Sequence, residues 1–227
     1  MSKPSALLVA FLIMAAASPA PAVDGTPPEK GVIYSWNGSP KLPAGLPSPP
    51  SVKAPDPKLG SQRQLVFSDT RQIAIPLTRR TLRQFTVALY LRPGRGKVTE
   101  SLISCGTLET DGFLLYRMHS NWGFGAGDGT TFARRHMNRR AEFLSRKWQH
   151  LAVTFDRGMV RYYRDGILAA SGRIRARQIV IPANATLCIG GAAAGMKPFQ
   201  GSMAGIVLLE RRLDPAEIPE LMARTNP

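Results

Sequence analysis

Short extended runs of apolar residues, each bounded by Gly, Asp, Asn or Pro, follow one another from about Ser61 onward. That pattern predicts a sandwich or barrel of antiparallel strands. Strands are expected near Leu65 to Phe67, Gln72 to Ile75, Phe85 to Leu91, Glu100 to Cys105, Gly112 to Met118, Trp148 to Phe155, Met159 to Arg164, Ile167 to Ser171, Thr186 to Ile189 and Ser202 to Leu209. In Leu151-Ala152-Val153-Thr154-Phe155 the large side chains fall at alternate positions, so they share one face and mark it as core. Asp156-Arg157-Gly158 joins Phe155 to Met159, and Asp165-Gly166 is a favoured pair for a two-residue turn of positive φ. Together they predict a three-stranded meander. Asp214-Pro215-Ala216-Glu217 supplies an N-cap, a proline at the first helical position and an acidic first turn, so one short helix is expected through Ile218, Leu221 and Met222.

The pattern changes upstream. Residues 23–60 are loaded with proline, which removes amide donors and fixes φ, and they read as an extended linker. Inside it the island from Gly31 to Gly38 is apolar enough to dock on the domain or on a partner, or to add a short strand to a sheet edge. Residues 1–22 carry Lys3, an apolar stretch from Ala6 to Ala17 and the small residues Ser18-Pro19-Ala20-Pro21-Ala22, as a secretory signal does. The stretch is about a dozen residues where a bilayer span needs roughly 20. The expectation is a secreted or periplasmic protein with no membrane span, its folded unit running over residues 61–227.

Composition adds a question. Lys and Arg number 30 against 15 Asp and Glu, mostly through arginine spread along the chain. A polyanionic partner is one reading, and the codon bias of a GC-rich genome is the other. Nucleic acid is not the expected partner. Cys105 and Cys188 are the two cysteines; in an oxidising compartment a disulfide between them is expected, the alternative being two buried thiols in adjoining strands.

Several segments line up in order: Phe85-Thr86-Val87-Ala88-Leu89-Tyr90-Leu91-Arg92-Pro93, Trp148-Gln149-His150-Leu151-Ala152-Val153-Thr154-Phe155-Asp156, Tyr163-Arg164-Asp165-Gly166, Ile189-Gly190-Gly191 and Phe199-Gln200-Gly201-Ser202-Met203. With Arg212-Leu213-Asp214-Pro215-Ala216-Glu217-Ile218 near the end, they resemble the laminin G-like, concanavalin A-like domain family over about Leu65 to Ala223. The resemblance implies an all-β jelly-roll sandwich of two antiparallel sheets, with carbohydrate or protein ligands in rim loops or on the concave face. It names no single ligand. It also implies that calcium could sit at the rim, where Asp111, Asn121 and Asp128 occupy suitable loops.

Catalysis finds little support. Glycoside hydrolysis needs two carboxylates flanking the scissile bond, and the alternating Glu-x-Asp-x-Glu that places them on one strand is missing. Glu100, Glu109, Asp111, Asp128, Glu142, Asp156 and Asp165 are scattered, mostly in turns. The polysaccharide lyases of similar fold use Arg, His and Tyr, and their Gln-Ile-His pattern is missing too. His119 and His136 lack partners at metal-ligand spacing. The expected function is therefore a non-catalytic binding module for a glycan or a cell-surface component. A divergent polysaccharide hydrolase or lyase and a structural docking protein are the alternatives. Ligand-binding candidates are Asn121, Trp122, Asp128, Arg134 and Arg135, with Arg139 and Arg140 beside them, although Trp122 and Phe124 alternate as core residues of a strand would. In Arg173-Ile174-Arg175-Ala176-Arg177 the guanidinium groups fall at alternate positions, about 6.5 to 7 Å apart if the chain is extended, a row suited to an acidic glycan.

Overall fold

The computed structural model describes residues 31–36, 64–68, 72–94, 99–136 and 146–226. Residues 1–22, nearly all of the 23–60 stretch, and Arg139, Arg140 and Glu142 lie outside them. In chain order the strands are β1 (Val32–Trp36), β2 (Leu65–Phe67), β3 (Ile73–Leu77), β4 (Arg80–Leu82), β5 (Gln84–Pro93), β6 (Thr99–Cys105), β7 (Phe113–Met118), β8 (Asn121–Gly127), β9 (Phe132–His136), β10 (Gln149–Asp156), β11 (Met159–Arg164), β12 (Ile167–Arg173), β13 (Ile179–Ile181), β14 (Ala185–Ile189), β15 (Lys197–Pro198) and β16 (Gly201–Leu209), followed by helix α1 (Glu217–Thr225). One sheet runs β1-β16-β5-β10-β11-β12 with β2 also on β16; the other runs β3-β14-β6-β7-β8-β9 with β15 also on β6. The sheets face each other across a core in which Phe85 of the first meets Phe113 of the second at 4.8 Å between ring centroids, and Phe155 meets Phe124 at 6.3 Å.

Alternation sorts the faces. Leu151, Val153 and Phe155 point into the core, while Ala88, Ala152, Val207 and Leu209 point outward and are covered by Leu213, Ile218 and Leu221 from α1 and the segment before it. The meander β10-β11-β12 forms as expected, its turns held by Arg157 and Gly158 at φ 45° and 92° and by Asp165 and Gly166 at φ 49° and 81°. The apolar island becomes β1, antiparallel to β16, so a strand of the first sheet comes from within the stretch read as linker. Helix α1 begins later than its sequence suggests. Its N-cap is Ala216, and Glu217 instead reaches back to accept the Asp214 amide at 2.7 Å. That hydrogen bond, together with Arg211, holds the Glu217 carboxyl below the usual range. Pro219 is tolerated because a first-turn amide has no intrahelical acceptor.

The expected disulfide is not present. Leu187 stands opposite Cys105 and Cys188 opposite Ser104, so the two thiols project from opposite faces of the second sheet and both are free. Cys105 lies in the core, where burial pushes its thiol up to about 12, and Cys188 donates to Gln72 Oε1 at 3.3 Å. The strands do adjoin, as in the alternative of two buried thiols, but only Cys105 is buried and Cys188 is partly exposed.

On the outward face of β10, His150 is fully buried with its ring 4.9 Å from that of Tyr90, and neither ring nitrogen has a hydrogen-bond partner among the described residues. Burial lowers its pKa to about 4. The folded state therefore holds a neutral imidazole that the unfolded chain protonates first, so stability present above pH 6.5 is lost as pH falls toward 4, by roughly 3 kcal/mol. Urea midpoints from pH 7 to pH 4 should show this decline in the native protein and a shallower one in His150→Leu; parallel declines would refute it.

Candidate functional site: a basic rim between the sheet edges

Edges β9 and β12 come together on one side of the sandwich. Arg135 Nη1 donates to the Arg173 carbonyl at 3.4 Å, and Tyr162 donates its hydroxyl to the Arg135 carbonyl at 2.9 Å. The Arg135 guanidinium occupies the space left by Gly172, where an added Cβ would lie 2.0 Å from its Nε. Beyond Arg173 the chain leaves the ladder, yet its alternation persists. Ile174 and Ala176 are buried while Arg173, Arg175 and Arg177 are exposed. The Ile174 amide donates to the Gly158 carbonyl at 2.8 Å and Arg177 Nη1 to the Arg157 carbonyl at 3.3 Å, which fastens the segment to the β10–β11 turn. The expected alternation of exposed arginines is present, but on a segment that bends at Arg175 and Arg177 rather than an extended strand. Arg135 lies beside Arg173 on this rim.

Arg134 belongs elsewhere. Successive residues of a strand face opposite ways, and β9 pairs Phe132, Arg134 and His136 with Gly127, Gly125 and Gly123 of β8 on the outer face of the second sheet. The glycines let neighbouring rings lie across the strand: an added Cβ at Gly123 would meet Tyr116 Cζ at 2.1 Å, and one at Gly125 would meet Phe132 Cε1 at 2.5 Å. The Arg134 guanidinium sits over the Phe132 ring at 5.5 Å. The Tyr116 hydroxyl is 3.0 Å from His136 Nδ1. Burial raises the Tyr116 phenol to about 12, and burial together with Arg134 lowers the His136 pKa.

Other candidates fall away from a site. Trp122 is fully buried on the inner face of β8, within the core, and is a packing residue rather than a ligand platform. Asn121 begins β8 and Asp128 follows its end, so about 20 Å of strand separates them and the three-residue calcium set does not converge. Asp111 does lie near Asp128, but its Oδ1 accepts the Thr107 amide, while Asp128 Oδ1 accepts the amides of Thr130 and Thr131. Among the described residues no three His, Cys, Asp or Glu side chains gather as metal ligands would. Glu100 is committed to a buried ion pair with Arg117, and Asp165 accepts the His150 amide. No helix among the described residues is long and apolar enough to cross a membrane. Sequence reasoning missed Tyr116 and Phe132, and treated His136 as isolated. Their signal lay in two matched alternations, Phe132/Arg134/His136 and Gly123/Gly125/Gly127.

Two antiparallel sheets closed face to face, with edges left open at a charged rim, define a lectin-like jelly roll. The chain belongs to the concanavalin A-like lectin/glucanases superfamily, whose laminin G family model matches residues 67–219. Solved structures agree on the fold. Domain 4 of an extracellular arabinanase from Geobacillus stearothermophilus, in complex with arabinotriose, is 20% identical, with a TM-score of 0.57 over 76% of this chain and 81% of that one. A heptameric SAP-like pentraxin from Limulus polyphemus is 16% identical, with a TM-score of 0.54 over 69% of this chain and 79% of that one. The ligand-binding domain of botulinum neurotoxin serotype D, in complex with N-acetylneuraminic acid, is 12% identical, with a TM-score of 0.64 over 86% of this chain and 51% of that one. A search of curated proteins finds no match.

Proposed function

We propose that this chain is an exported, non-catalytic binding module that holds an acidic glycan along the β9–β12 rim. The observation that carries the reading is the regular exposure of Arg173, Arg175 and Arg177 above buried Ile174 and Ala176, with Arg135 fastened alongside. A planar guanidinium donates two parallel hydrogen bonds to an oxyanion, so a spaced row matches successive carboxylates or sulfates. Similarity to domains solved with arabinotriose and with N-acetylneuraminic acid supports a carbohydrate ligand. The amino-terminal signal supports export.

Heparin or alginate affinity should fall at least tenfold in the triple substitution Arg173→Ala, Arg175→Ala, Arg177→Ala, and should weaken steeply with salt because exposed charges are screened over about 8 Å at physiological ionic strength. Neutral glycans should not bind. Titrations with and without chelator separate any calcium requirement from the arginine row. Unchanged affinity in the triple variant removes the row from the function.

A second reading, a polysaccharide lyase, is raised by Tyr116, His136 and Arg134 meeting on one face. The protonation states argue against it. A proton-abstracting tyrosine works best with its pKa near the working pH, whereas burial drives Tyr116 to about 12. Release of unsaturated uronates from alginate, abolished by Tyr116→Phe, would reinstate the enzyme.

A further inference from the structure

The outer face of β9 holds a second cationic group that the rim does not use. Arg134 has no carboxylate partner among the described residues, and its guanidinium is laid on the Phe132 ring, so part of the rotamer entropy that binding would cost is already lost in the fold. His136 is two residues along the same face, about 6.5 to 7 Å away between Cα positions. The Tyr116 hydroxyl stays protonated and lies 3.0 Å from His136 Nδ1 and 3.5 Å from Nε2; where it donates to Nδ1, the neutral ring carries its proton on Nε2.

We propose that Arg134 and His136 form a separate subsite for the carboxylate or sulfate of one sugar residue, and that protonation of His136 strengthens it. The guanidinium fork takes the anion at all working pH values. The imidazole contributes a neutral N–H above its pKa and a charged one below it. The groups facing His136 are Tyr116 from β7 and Arg134 of its own strand, while β8 presents Gly123 and Gly125; among the described residues no carboxylate pairs with the ring to compete with the anion. A bound anion favours the imidazolium, and by linkage acidification favours the anion. Converting a neutral donor to a charged one strengthens such a hydrogen bond enough for roughly a tenfold gain.

The test is titration of the full chain with sodium glucuronate at pH 7.5 and pH 5.5, read by heat and by the His136 ring nitrogen signals, with methyl glucoside as the neutral control. Glucuronate should shift the His136 signals and bind about threefold to sixfold tighter at pH 5.5, tenfold being the limit once His136 is fully protonated. Arg134→Gln should abolish the His136 response to glucuronate, whatever binding remains at the rim, and His136→Gln should remove the pH dependence. The rim variant lacking Arg173, Arg175 and Arg177 should keep the native His136 response to glucuronate, so loss of the rim function and loss of this subsite are told apart. Equal affinity at the two pH values, or a His136 shift that survives Arg134→Gln, overturns the proposal.

Discussion

Arg117→Leu is expected to destabilise the fold by about 3–5 kcal/mol, because it leaves an ionised carboxylate buried and unpaired. Arg117 and Glu100 are each 3% exposed and meet at 3.1 Å across β6 and β7. Arg117 Nε also donates to the His119 carbonyl at 2.9 Å, and Glu100 Oε1 accepts the Gln200 amide at 3.2 Å, so the pair ties the β7–β8 turn to the start of β16. Replacing both partners with leucine should recover most of the loss, since two apolar side chains need no compensating charge. Urea unfolding at pH 7 of the two variants decides this. A loss under about 1 kcal/mol for Arg117→Leu would mean that water reaches the carboxylate.

A comparable loss, about 3–5 kcal/mol, is expected for Trp122→Ala. Its indole is fully buried within the core between the sheets, so truncation opens a cavity that the surrounding strands can only partly close. The same variant separates packing from recognition. Trp122→Phe should retain glycan affinity with a small stability cost. If Trp122→Ala unfolds at the native midpoint yet no longer binds glycan, the residue contacts ligand after all.

All ten strands expected from sequence overlap strands of the structure, because each carries its own alternation or apolar run. Of the strands not expected, β8 carries the alternation of Trp122 and Phe124 but is interrupted by glycine at every other position, β13 is an apolar run of only three residues, and β9 lacks the signal altogether. β9, Phe132-Ala133-Arg134-Arg135-His136, is an edge strand whose polar residues fall on both faces. Its functional content was equally hidden. That Arg134 and Arg135 part company follows from β9 being a strand, and that Arg135 reaches Arg173 follows from two sheets meeting, neither of which is local information. The disulfide failed for a related reason. Cys105 and Cys188 sit on adjacent strands, but their register is off by one residue, and a slip of one reverses the face of every side chain. The proposed calcium ligands are divided by the length of β8, since Asn121 and Asp128 stand at the two ends of one extended strand.

The pairing of β16 has a consequence for how the chain is made. Val32 and Phe85's strand both take their partner from the final strand, with Val32 opposite Leu209 and Thr86 opposite Leu209 on its other edge. Contacts this distant along the chain carry a loop-closure cost before they repay it, which places folding on the slow side, ~milliseconds to seconds. A nascent chain ending before Gly201 has no strand to bridge β1 and β5, so the first sheet cannot close until β16 has been made.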